Sequence, residues 1–215
     1  MTVFYGPSNP CNICPRLYCY LQELNKKQPE GHNGPVTSFG AIESQLLIVG
    51  LAPGAKGANY TGRPFTGDHA GDVLYGQLST FGFSKGIFKQ HINDGLELIN
   101  CRITNAVRCV PPQNKPIGSE INSCNIYLSQ EIAAMKKLKI ILSLGKISHD
   151  AVLKVFGLKQ SAYKFAHGAQ HQINDDLWLF DTYHCSRYNM NTRRLTEDMF
   201  AAIFSNIQTK LSSLS

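Results

Sequence analysis

Apolar residues in this chain gather into four short runs separated by longer stretches of mixed character. Leu46 to Val49 is closed by Gly50, the pattern of a strand buried on both faces of a parallel sheet. Leu98 to Val107 reads as a second strand, because β-branched residues outweigh helical spacing toward its end. Lys139 to Leu144 is a third strand and Leu177 to Thr182 a fourth. Between them, apolar residues fall at helical spacing over Ala70 to Phe81, over Ile121 to Leu138 with Ser119 placed to cap it, and over Lys146 to Phe156. A mixed helical segment around Arg16 to Leu24 and an amphipathic helix over Thr196 to Leu211 stand near the two ends. Strands alternating with helices predict an α/β fold: a three-layer α/β/α sandwich around a central, mostly parallel four-stranded sheet. No internal repeat interrupts this order, and 215 residues make one well-cored domain, read here as residues 1–215.

The first strand empties into a long loop, GLAPGAKGANYTGRPFTGD, from Gly50 to Asp68. Connections in such folds usually need about two to six residues, and longer ones tend to be functional. Ligands in open α/β sheets sit beyond the carboxyl ends of the strands, so this loop predicts a pocket wall. Gly50 lets backbone approach a ligand closely, Phe65 offers a flat apolar face, and Asn59, Thr61 and Thr66 supply polar tips. Asp68 is the only acid in the loop and is equally placed to cap the helix that begins near Ala70. The loop does not bind phosphate in the usual way, since GAKGAN lacks the Gly-Lys-Ser/Thr ending and no G-x-G-x-x-G follows the strand. Asn105, ending the second strand, and His184, following the fourth, come to the same sheet edge.

Charge and cysteine content narrow the class of partner. A formal net charge of +6 favours a polyanion. No apolar run approaches the length of a membrane span, and Met1 to Pro10 lacks the regions of a signal peptide. The expectation is a soluble, cytoplasmic monomer with no membrane partner. Seven cysteines in a reducing compartment point to metal binding or catalysis rather than disulfides. Cys11 and Cys14 form a C-x2-C pair, and Cys109 and Cys124 bracket a proline-rich loop. Four such thiolates close a tetrahedral zinc site or hold a [4Fe-4S] cluster, and spacing does not separate the two. Cys19, Cys101 and Cys185 are left unligated.

Six segments, in order and spread over most of the chain, resemble the iron-sulfur uracil-DNA glycosylases, most closely their type 5 branch. They are CNICPRL from Cys11, the Gly50 to Asp68 loop, ITNAVRCVPPQNKP from Ile103, the later Cys124, SLGKISHDA from Ser143 and HCSRYNMNTRRLT from His184. Any one is weak, but six in register are specific. The resemblance implies a [4Fe-4S] cluster on Cys11, Cys14, Cys109 and Cys124, and it implies the three-layer fold read independently above. Two positions depart from the pattern: the last motif usually has Pro where this chain has Cys185, and Gly where it has Arg193. The loop also lacks the acidic or amide residue that sister branches place just after the strand, as is typical of type 5.

The resemblance implies base excision repair of DNA carrying uracil or other deaminated bases, with nucleoid association through DNA. A glycosylase must flip its target base into a pocket at a cost of a few kcal/mol. Phe65 is then placed to stack on the base, and the Asn105 amide to accept from N3–H of uracil and donate to O4. Gly50 and Asn59 line the base site, His184 donates to O2 as charge develops there, and Asp68 orients or deprotonates the attacking water. Arg187, Tyr188, Asn189, Arg193 and Arg194 are the candidate DNA grip, with Tyr188 or a neighbour as wedge. His69 and His149 are taken as structural. The leading reading is a monofunctional uracil-DNA glycosylase; Lys56 is the only lysine in the loop that strand cleavage would recruit. Behind it stand a non-catalytic nucleic-acid binder with an altered His motif, and an iron-sulfur damage or redox sensor.

Overall fold

Alternate residues of the central strands face opposite sides of the sheet, and both sides are covered. The computed structural model describes residue 4 and residues 6–214. Residues 1–3 and 5, within the stretch read for targeting features, lie outside the described residues, as does residue 215. In chain order the elements are α1 (Pro15–Lys27), β1 (Leu46–Gly50), α2 (Ala58–Thr61), α3 (His69–Thr80), β2 (Ser84–Lys85), β3 (Glu97–Leu98), β4 (Cys101–Asn105), α4 (Gly118–Ala134), β5 (Ile140–Leu144), α5 (Lys146–Val155), β6 (Gln170–Asn174), β7 (Leu177–Thr182), α6 (Arg187–Asn191) and α7 (Glu197–Ser213).

The main sheet runs β4-β1-β5-β7-β6, with the first four strands parallel and β6 antiparallel to β7 at the edge. The four parallel strands are the four read from the apolar runs. The fifth, QHQIN, alternates exposed and half-buried positions, so it offers no apolar run to find. Leu46, Ile48, Ile103 and Leu142 pack against Leu74 and Leu78 of α3 and Phe200 and Phe204 of α7. Leu47, Val49, Ile141 and Leu179 face the other way, onto Leu128 and Ile132 of α4 and Val152 and Leu153 of α5. A smaller apolar group joins Leu17, Leu21 and Leu24 of α1 to Val107, Cys109, Val110 and Cys124.

Element boundaries depart from the sequence expectation most visibly at β4 and α4. Leu98 belongs to the short β2–β3 hairpin, and Asn100 at φ 49° breaks the chain before β4 starts at Cys101. Helix α4 starts at Gly118, with Ile117 rather than Ser119 in the cap position. The Glu120 side chain closes that end by accepting the Ile117 N–H at 2.9 Å, and Arg16 of α1 donates to both Glu120 oxygens at 2.7 Å. At its other end α4 stops at Ala134, short of Leu138. The crossovers send the chain from β1 to β4 on one side and back to β5 on the other, so the strand order reverses at β1. Its carboxyl end is therefore where a ligand is expected.

Candidate active site

A cleft of about 580 Å³ opens at that point, lined by Leu51 after β1, Asn105 ending β4 and His184 after β7, with Phe65 and Asp68 from the long loop and His69 at the start of α3. The volume lies in the ordinary range for small-molecule sites. Asn105 is almost fully buried, and its Oδ1 takes no hydrogen bond from the protein. A buried, unpaired amide oxygen is costly unless a ligand completes it. Gly50 makes this possible, because a Cβ there would stand 2.3 Å from Asn105 Oδ1 and 2.6 Å from the Phe65 ring.

Phe65 is held as a platform. Its φ of 53° is left-handed, a conformation that a bulky residue adopts only when its surroundings impose it. On one side Arg63 binds Asp94 through two bonds of 2.8 and 2.7 Å and Thr66 Oγ1 at 2.8 Å. Its guanidinium lies 5.1 to 5.6 Å from the ring centres of Phe39, Tyr75 and Phe88. That partner holds the Asp94 carboxyl well below the usual carboxylate range. Tyr75 donates to the Pro64 carbonyl at 2.7 Å, and the Phe65 carbonyl fills the place where a Cβ on Gly71 would fall.

Asp68 divides its carboxylate between two tasks. Oδ1 accepts the Gly71 N–H at 3.0 Å and caps α3, while Oδ2 faces Gly57 and Gly54, where a Cβ would approach to 2.6 and 3.4 Å. The His184 ring stands 5.9 Å from that of Phe65, inclined by 28°. Burial pushes its pKa below the ordinary 6.5, and the Asp68 charge opposes the shift. The lowered pKa favours the neutral imidazole at neutral pH, a form with one N–H to donate. Asn189 donates to the His184 carbonyl at 2.8 Å, and Cys185 donates to the Ala70 carbonyl at 3.4 Å. Burial, helped by the Asp68 charge, pushes the Cys185 thiol up to about 12, so it is a protonated tie between the His184 turn and α3.

Cys11, Cys14, Cys109 and Cys124 line one apolar cavity between α1, the residues after β4 and α4. Burial and the neighbouring cysteines push Cys14 up to about 11, and burial raises Cys109 and Cys124 as well. Four thiols this close disfavour one another as thiolates unless a cationic group is bound among them, and Cys124 Sγ already accepts the Arg108 N–H at 3.3 Å. The donor set therefore fits an iron-sulfur cluster.

The family profile described as the Uracil DNA glycosylase superfamily matches residues 37–208. The chain belongs to the uracil DNA glycosylase superfamily. It is 39% identical over 198 residues to the type-5 uracil-DNA glycosylase of Thermus thermophilus, covering 90% of each chain. The proteins of the same name in Mycobacterium leprae and Pyrobaculum aerophilum are 37% and 35% identical, with 90% of this chain and 88% and 85% of theirs covered.

Within this superfamily fold, the residues singled out in the sequence fall into two groups. Gly50, Phe65, Asp68, Asn105, His184 and Arg187 meet at the cleft. Asn59 is buried and does not line it: its Nδ2 donates to Asn33 Oδ1 at 2.9 Å, while its own Oδ1 takes no hydrogen bond. The Asn189 amide donates to the His184 carbonyl; Arg187 is on the cleft wall, and Tyr188 (71% exposed), Arg193 and Arg194 are on the surface, with the Arg194 guanidinium 4.6 Å from the Tyr183 ring centre. Lys56 is exposed and outside the cleft lining. The Arg63–Asp94 clamp and Asn114 and Ser186 on the cleft wall were missed in the sequence, and His69, taken there as structural, lines the cleft with its Nε2 buried and without a hydrogen-bond partner. Only the histidine type of His69 offered a signal; the others needed the fold.

Proposed function

We propose that this protein is a monofunctional DNA glycosylase that hydrolyses the bond between uracil and deoxyribose in DNA, leaving an abasic site. The observation that carries the reading is the Asn105 amide on the cleft wall, whose buried oxygen is unpaired, in a lining shared with Phe65, His184 and Asp68. Such an amide complements the alternating donor and acceptor edge of uracil, accepting from N3–H and donating to O4. The names of the three relatives point the same way.

An everted base enters the cleft and rests on Phe65. Water oriented by Asp68 Oδ2 bonds to C1′, the C1′–N1 bond breaks, and its electron pair passes into the uracil ring. Asp68 takes up the water's proton and its charge offsets the positive charge on the sugar, a general-base role that contributes a factor of about 10² to 10⁴. The neutral His184 donates to O2 as that oxygen gains charge, and one such donor contributes about 3–4 kcal/mol. Arg187, Arg193 and Arg194 hold phosphates, and the exposed Tyr188 fills the space left in the duplex. Lys56 outside the cleft supports base release without strand cleavage.

Cys11, Cys14, Cys109 and Cys124 would hold a [4Fe-4S] cluster, which binds α1 to the 109–124 segment as a structural tie.

The test is to incubate the iron-loaded protein with a duplex bearing one uracil and to separate the products by chromatography. Free uracil with an uncut, alkali-sensitive strand is the expected result. Duplex binding without released uracil would overturn the reading in favour of a damage binder.

A further inference from the structure

Upstream of His184, β7 carries a buried group of titratable side chains that the reaction above does not use. Asp181 is fully buried; its Oδ1 accepts from Ser143 Oγ at 2.6 Å and faces His149 Nδ1 at 2.8 Å. Asp181 Oδ2 stands 3.3 Å from His171 Nε2, yet neither atom makes a hydrogen bond. One ligand atom from each of His149, His171 and Asp181 falls within 4.8 Å of the others. The two imidazoles lie 5.6 Å apart and are inclined by 63°, so they are not stacked on one another.

Hydrogen-bond partners that would orient these ligands are in place as well. His149 Nε2 lies 2.8 Å from the Tyr163 carbonyl, which only accepts, so Nε2 carries a proton and Nδ1 is the nitrogen turned to the carboxylate. A metal-bound histidine ordinarily donates its other N–H to a carbonyl in this way, and a metal-bound carboxylate ordinarily takes a further hydrogen bond, here from Ser143.

We propose that His149 Nδ1, His171 Nε2 and one carboxylate oxygen of Asp181 form a site for a divalent transition metal of the zinc class. Two imidazoles and a carboxylate are the donor set such ions take. His149 Nδ1 stands 2.8 Å from Asp181 Oδ1 and His171 Nε2 3.3 Å from Oδ2, and with one ligand atom of each residue within 4.8 Å of the others, small side-chain shifts bring them to the roughly 3 Å spacing of ligands about 2.0–2.2 Å from one ion. The ion displaces the proton shared by His149 Nδ1 and Asp181, leaves Nε2–H on the Tyr163 carbonyl, and gives the two unpaired atoms a common partner. Half-buried His171, on edge strand β6, provides the way in from solvent. Bound there, the metal ties α5 and β6 to the strand that presents His184.

Iron-loaded protein is treated with a mild chelator until only the cluster iron remains, exposed to zinc, desalted and counted for both metals. Zinc-edge X-ray absorption then identifies the ligands. About one zinc per chain with nitrogen and oxygen ligands, at full iron content, is expected. His171→Ala should keep its iron and lose the zinc, and Ser143→Ala should weaken zinc binding by roughly 10- to 100-fold. No zinc on the iron-loaded parent, zinc with sulfur ligands, or zinc retained undiminished by His171→Ala would overturn the proposal. Should a variant not fold, the parent's zinc count and ligand type decide alone.

Discussion

Gly50 and Asn105 are register partners at the ends of two neighbouring parallel strands, and a Cβ on Gly50 would overlap the Asn105 side-chain oxygen at 2.3 Å. The bare glycine is thus what lets the amide and the Phe65 ring share the cleft wall. Gly50→Ala is expected to fold with a loss of about 1–3 kcal/mol from overpacking. It should slow uracil release by about 10²-fold, since a shift of about 1 Å in a positioning group costs that much. Single-turnover release beside thermal unfolding separates the two effects; unchanged release would remove Asn105 and Phe65 from the base pocket.

Burial holds His184 below the ordinary histidine value of 6.5, so the unfolded chain takes up a proton at this residue before the folded one does. The folded state therefore has its full His184 contribution above 6.5 and loses it as pH falls from there through the lowered folded value. Base release should be level above 6.5 and decline on an acid limb below it. Asp68→Asn removes the charge that opposes the shift and should move the limb of any residual activity lower still. His184→Gln should unfold less steeply in acid than the parent. An acid limb centred above 6.5 would contradict a neutral donor.

Arg193 follows α6 with a φ of 55°, the left-handed position after a helix where glycine is preferred, and its N–H bonds the Met190 carbonyl at 3.1 Å. Arg193→Gly should raise stability by about 1 kcal/mol by removing that strain. It should also lower the slope of log affinity against log salt for any duplex by about 0.9. A melting experiment and a salt titration check the two halves independently, and an unaltered slope would take Arg193 off the phosphate backbone.

Cys14 lies between the cavity and the first turn of α1, whose apolar face packs on Val107, Val110 and Cys124. Cys14→Ser should lose iron together with the sulfur-to-iron visible absorption. It should also loosen α1 and the 109–124 segment, so that limited proteolysis begins at residues 28–35 with the sheet still folded. Full iron content in this variant would rule Cys14 out as a ligand.

How much of this was legible in the chain depends on the range of the interactions involved. The parallel strands announce themselves because burial on both faces demands apolar runs, while β6 is hidden because an edge strand with polar alternation imposes no such demand. Asn105 and His184 were legible because strand ends meet at one edge of such a sheet. The surroundings of Asn59 and Asn189 were not legible, since an amide reads the same in sequence whether it faces a ligand or bonds, as here, to Asn33 and the His184 carbonyl. The Arg63–Asp94 clamp joins residues 31 apart across an aromatic enclosure, and no local pattern marks it.

The most direct measurement is base release under single turnover from a labelled duplex with one uracil, comparing the iron-loaded parent with Asp68→Asn and revealing abasic sites with alkali. Asparagine can still cap α3, so the variant should fold and bind. The account predicts release by the parent and a loss of about 10² to 10⁴ in rate for the variant. An Asp68→Asn protein as fast as its parent, or a folded parent that binds the duplex and releases nothing, would contradict it.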